Sequence, residues 1–285
     1  MFKSLSLKVI IFGFIFTFFS SFGQSFFLGL FNSNIRDALS ISHGQFGSIY
    51  ASATLLSSFI LIWLGKKIDE INIFKFASLV TILLSFSCFF FSKISSVAFL
   101  FFAIFLMRFS GQGMMSHTAT TTVSRYFTKS RGKALSTVWF GLSTAEFILP
   151  VLMVYLLTIT TWQNIWISIS ILVLFFLPLM SFVLIKNLNF ESREEIKDKE
   201  FKERDIKQWK RIEVLKDYRF YIICLNMLAM PWIATGIFVY QSFITESKEW
   251  GVFIIAQSFM IYSILSVITL LASGFLVDKF TSRKL

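Results

Sequence analysis

Eight apolar stretches occupy most of this sequence, and each is long enough to cross a bilayer, for which about 20 residues suffice. They cover residues 8–31, 45–64, 74–91, 97–118, 134–157, 162–185, 218–243 and 252–272. In hydrocarbon the backbone must satisfy its own polar groups, so runs of this kind fold as helices. Composition agrees. Only 15% of the residues are charged and 55% are hydrophobic, whereas a soluble domain carries about 25% charge. The expected fold class is an all-α polytopic membrane protein. Lys3 and Lys8 flank the first run as they would a signal peptide, but its length and the seven runs behind it indicate a retained helix.

The basic residues set an orientation. With the N-terminus inside and the runs alternating, inside segments hold 23 of the 27 lysines and arginines. Outside loops hold Arg36, Lys93 and Lys248, and Arg108 falls within a run. This is the positive-inside asymmetry. It accounts for the net charge of +11 without a nucleic-acid partner, and none is expected.

Six runs precede a charged segment, "NLNFESREEIKDKEFKERDIKQWKRIEVLKD", and two follow it. Acid-then-base pairs four apart, such as Glu195 with Lys199 and Glu203 with Lys207, favour a solvated helix. Ile206, Trp209, Ile212 and Leu215 then recur every third residue, as on a helix lying at a membrane surface. The divisions expected are a six-helix bundle over 1–186, a cytoplasmic linker over 187–217, and the first two helices of a second bundle over 218–285.

A short motif repeats across that division. "GKKIDEINIFK" after the second run and "GFLVDKFTSRK" after the eighth both carry glycine with aspartate four later. Gly65 and Gly274 are 209 residues apart, as are Asp69 and Asp278. The final stretch therefore reads as the second bundle's copy of the loop between its second and third helices. Parallel repeated bundles are a transporter architecture.

These residues resemble the major facilitator superfamily, whose signature in this loop is a glycine, an aspartate and following basic residues. Gly274, Asp278, Lys279 and Arg283 match it. The first copy keeps Gly65 and Asp69 but has Glu70 and Asn72 where a basic residue and a glycine are usual. "RFSGQG" in the fourth run is similar to the family's fourth-helix pattern, with Gly111 and Gly113 as packing glycines. "GLSTAEFILP" in the fifth is similar to its fifth-helix motif through Gly141 and Pro150, with Glu146 in place of a glycine. The resemblance implies a twelve-helix fold, of which eight are present, so the sequence is expected to be C-terminally incomplete. It further implies a secondary carrier in a bacterial inner membrane, multi-pass, with a cytoplasmic N-terminus. The carrier would work as a monomer when complete and move a small organic solute by alternating access. The pattern is similar to bacterial permeases of the organic-anion or monocarboxylate type, with protons as a candidate coupling ion. The gate motif would latch the halves on the cytoplasmic side.

Arg108 and Glu146 are the only full charges deep in the runs, and charges there usually face a cavity or a partner. Counted from the inner ends of their helices, their depths differ by only about 6 Å at 1.5 Å per residue. Either they pair and brace two helices, or Arg108 holds an anionic substrate while Glu146 takes a coupling proton. Because first and fourth helices of each half line the cavity in this family, Gln24, Gln112, Asn226 and Gln241 join the candidates; amides there orient a substrate or glue helices together. His117 reads as a packed polar residue, and Pro231 as a bend or a tolerated proline.

Cys88 and Cys224 lie in separate runs and suggest neither a disulfide nor a metal. No Walker loop, H-E-x-x-H, C-x-x-C or G-x-S-x-G motif occurs, so no cofactor, metal site or catalytic residue is expected. Three rival readings stay open: a receptor, a membrane enzyme without transport activity, and an efflux carrier for amphiphilic drugs.

Overall fold

The computed structural model describes residues 4–127, 131–188, 211–251 and 253–280. Eight helical spans are long and apolar enough to cross a membrane: Ser6–Gly29, His43–Asp69, Ile73–Ser92, Val97–Tyr126, Gly132–Ile159, Trp162–Ile185, Tyr218–Val239 and Phe253–Leu270. They are called spans one to eight. Short helices at Asn32–Leu39 and Gln241–Ser247 follow spans one and seven.

Polar caps start the spans where the apolar runs begin. Ser42 and Gln45 form a reciprocal capping box before span two. Asn72, Ser96, Thr161 and Asp217 accept backbone N–H groups before spans three, four, six and seven. Each satisfies donors that the first helical turn leaves without a partner.

Four boundaries differ from expectation. Span two continues past Leu64 as a tighter 3-10 turn, Gly65–Asp69. Span four reaches Tyr126, because its polar stretch bonds back to its own helix: Thr118 to the Met114 carbonyl at 2.7 Å and Thr120 to Ser116 at 2.9 Å. Span seven stops at Val239, where Tyr240 leaves helical geometry. The helix of span eight runs on to Phe280. The stretch expected as a loop is therefore helical through Gly274 and Asp278. In the first copy the helix instead ends in the 3-10 turn, and Asn72 caps the start of span three. The side chains of Asp278 and Lys279, all of Arg283, and the charged pairs between 195 and 207 lie outside the described residues, as do Ile206 and Trp209.

Small residues let the spans touch. Spans three and six pack along each other, and Ser85 and Ser170 each donate to the other's carbonyl at 2.9 Å. Span one lies on span five, where a Cβ at Gly141 would strike the Phe14 carbonyl. There Thr17 donates to the Val138 carbonyl at 2.6 Å. Span one crosses span four glycine against glycine: a Cβ on Gly111 would lie 2.7 Å from the Gly23 Cα. Close backbone approach is how helices associate in lipid. Spans five and eight also pack together. Large apolar side chains such as Phe175 and Trp232 are exposed.

Candidate functional site

The crossing of spans one and four is irregular on both sides. Span one breaks between a 3-10 turn at Ser21–Gly23 and a short helix at Ser25–Gly29, with Gln24 extended at φ −80°, ψ 154°. Span four widens into a π-helix over Arg108–Met115. Interrupted helices and π-turns in spans leave polar backbone for a side chain or ligand to satisfy.

Arg108 uses that backbone. Its Nη1 donates to the Gly23 carbonyl at 3.0 Å and to Ser25 Oγ at 3.2 Å. The Tyr50 hydroxyl of span two donates to the same Ser25 Oγ at 2.9 Å. The guanidinium carbon sits 5.4 Å from the centre of the Tyr50 ring, within cation–π range. The side chain is 6% exposed. Yet Nε is buried with no hydrogen-bond partner, and no bond is made by Nη2 among the described residues. One edge of the fork is thus bonded to protein and the other is not.

Glu146 does not pair with Arg108. It is 7% exposed on span five and makes no ion pair or hydrogen bond among the described residues. It lies within electrostatic reach of Tyr262 on span eight. The bracing ion pair considered from the sequence is therefore absent from this form.

The amide candidates separate. Gln24 sits at the break in span one and Gln112 in the π-segment of span four, both half-buried. Asn226 is exposed on span seven and donates to its own helix, to Ile222 at 3.0 Å. Gln241 lies away from Arg108, at the joint between spans one and seven. Its Nε2 donates to the Phe26 and Phe238 carbonyls, each at 3.0 Å. Asn32 donates in the other direction, to Val239 at 2.6 Å. A Cβ on Gly29 would strike the Phe238 carbonyl, so the chains meet backbone to backbone. Glu246 adds an ion pair to Arg36 at 3.6 Å, and its other carboxylate oxygen lies 3.8 Å from His43 Nε2.

At the opposite end the gate motif is tied to span four. Asp69 forms an ion pair with Arg125, whose Nη1 also donates to the Ile68 carbonyl at 3.2 Å. His117 Nε2 is 2.9 Å from the Gly65 carbonyl. The two departures from the motif have their own partners: Glu70 bonds Lys67 at 2.6 Å, and Asn72 caps span three. Gly113 faces Leu61 of span two, and Pro150 is buried within span five.

Sequence reading missed Gly23, Ser25, Tyr50, Asn32, Arg125 and Glu246. Three of them, Gly23, Ser25 and Asn32, carried a usable signal. The polar "GQS" interrupts an apolar run, and Asn32 precedes Gln241 by the same 209 residues that separate the two gate motifs. Among the described residues no cluster of His, Cys, Asp and Glu could hold a metal.

A multi-pass membrane protein, helical throughout its described spans, with a glycine-to-aspartate motif after span two and a charge in span four, is the class that the fold defines. The chain belongs to the Major Facilitator Superfamily, whose family model matches residues 13–285. A similar solved structure is a bacterial homologue of the human lysosomal transporter Spinster, in an inward-facing and unoccupied conformation. The TM-score is 0.68 at 14% identity, over 99% of this chain and 64% of that one. This chain thus spans less than two thirds of that protein's length, and at this identity the likeness is one of fold. No curated protein matches the sequence.

Proposed function

We propose that the protein is a secondary carrier for a small organic anion, with Arg108 as the electrostatic anchor and Glu146 as the carrier of a coupling proton. The unpartnered edge of Arg108 is the observation that carries this reading. A guanidinium stays charged and offers a carboxylate two parallel donors. Here Nη1 is fixed by Gly23 and Ser25 while Nε has no acceptor. The break in span one and the π-turns of span four place the group where two spans of the first half meet. Gln24, between the Gly23 and Ser25 that hold Arg108, and Gln112, four residues after it, would orient the solute.

Charged side chains inside a membrane are costly and usually functional. Among the described residues Glu146 makes no ion pair, and it stands where span five packs on span eight. Movement of that joint changes its surroundings, which is what coupling a proton to a conformational cycle requires.

The closed joint at the Arg36 end supports an inward-facing form if, as the charge asymmetry suggests, that end lies outside. Asp69 and Arg125 would belong to the inner gate. Two repeated halves, a bacterial inner membrane and a monomer are parts of the same reading.

Replacement of Glu146 by Gln separates coupling from structure. Reconstituted Glu146→Gln should keep counterflow exchange of substrate and lose uphill accumulation driven by a pH gradient. Unimpaired uphill accumulation would remove the coupling role, and loss of folded protein with unaltered coupling in the residue would make Glu146 structural.

A further inference from the structure

We propose that the joint at the Arg36 end carries a second ligand site, separate from Arg108, that takes a small uncharged polyhydroxylated solute such as a polyol or a monosaccharide. A cavity of about 290 Å³ opens there between the helix Asn32–Leu39, the end of span five and the helix Gln241–Ser247. That volume is at the low end for ligand sites, of order 300 Å³, which limits the occupant to a small molecule.

Its walls differ in chemistry. Ser33 and Asn34 line one side, Gln241 and Ser242 the other. Neither Ser33 nor Asn34 makes a side-chain hydrogen bond among the described residues. Gln241 Oε1 and Ser242 Oγ are buried without a partner. Two further hydroxyls are spent within the protein, Thr158 on the Tyr155 carbonyl and Thr245 on that of Ser242, each at 2.7 Å. The remaining wall is aliphatic, with Val154, Leu157 and Ile255.

This arrangement selects a class. Hydroxyls and carboxamides both donate and accept, as the hydroxyls of a polyol do. The aliphatic wall suits the C–H side of the same molecule. Among the described residues no charged side chain lines the cavity, and the nearby Arg36 and Glu246 are already paired with each other. A charged solute would lose its hydration there without a counter-charge, which is unfavourable. Buried polar groups lacking partners are costly, so filling the site relieves a cost already present.

The site also has a conformational consequence. Ser33 and Asn34 follow span one, whereas Gln241 and Ser242 follow span seven. A solute touching both walls binds only while the joint is closed and shifts the population toward that form by its differential affinity. This holds whatever the protein transports.

Saturation-transfer NMR on the full-length protein in lipid nanodiscs tests the assignment, with sorbitol, glucose and gluconate as probes. Sorbitol or glucose should give saturable transfer, and the dissociation constant should rise about tenfold or more in Asn34→Leu and in Ser33→Val. Gluconate, which resembles sorbitol but is charged, should not compete. Absence of saturable binding by either neutral probe would overturn the site and leave water as its occupant. Equal binding by both variants would place the solute elsewhere, and equal binding of gluconate would overturn the uncharged class.

Discussion

At the scale of single residues, the division of labour within Arg108 is the most informative feature. Nη1 holds the broken backbone of span one, so a lysine in its place could neutralise an anion but could not also brace Gly23 and offer a second donor pair. Charge-assisted hydrogen bonds contribute about 1.5–3 kcal/mol each. Arg108→Lys should therefore weaken anion affinity by roughly 10-fold to 100-fold, read as the half-saturation of counterflow exchange. Unchanged affinity would remove the anchor. The sequence pointed to Arg108 and Glu146 because a full charge in an apolar run is conspicuous. Tyr50 and Ser25 were not legible. A serine and a tyrosine in a span are common, and their meeting depends on where spans one and two touch. Asp69 was legible through its motif, while its partner Arg125 lies 56 residues away and looked like one more inside cation.

Among the helical elements, the existence and order of the spans were readable from hydropathy alone, since every one of the eight is long and apolar. Their irregularities were not. A π-turn over Arg108–Met115 and a break at Gln24 depend on neighbours: Gly111 and Gly23 can approach only if both helices leave regular geometry at the crossing. The serine contact between spans three and six gives a measurable check. Interhelical side-chain hydrogen bonds in membranes average about 0.6 kcal/mol and reach about 1.7. A double-mutant cycle with Ser85→Ala and Ser170→Ala should give a coupling energy in that range by unfolding in mixed micelles. Additive effects would mean that the two serines do not act as a pair. A larger loss is expected of Gly111→Val, because its side chain would meet the backbone of Gly23 rather than a movable side chain.

For the whole molecule, the joint at the Arg36 end brings together Asn32 and Gln241, 209 residues apart in sequence. Asn32 and Gln241 each donate across it to the other segment's backbone. On the proposed carrier reading, opening of this joint gives up both bonds. Each neutral hydrogen bond contributes about 0.5–1.5 kcal/mol. Asn32→Ala or Gln241→Ala should thus raise the open population by roughly 2-fold to 10-fold. A cysteine at Leu30, in a background without Cys88 and Cys224, reports this through its labelling rate with a membrane-impermeant reagent added outside. Labelling confined to the inside would reverse the orientation, and rates unmoved by either substitution would deny the joint a gating role. Central to the account is that Arg108 serves an anion during transport. The most direct measurement is uptake of a panel of labelled small carboxylates into proteoliposomes bearing the full-length protein and an imposed pH gradient. The account predicts saturable accumulation of at least one carboxylate, collapsing with the gradient and abolished by Arg108→Gln at equal amounts of folded protein. Accumulation that survives Arg108→Gln, or saturable transport of neutral or cationic solutes alone, would contradict it.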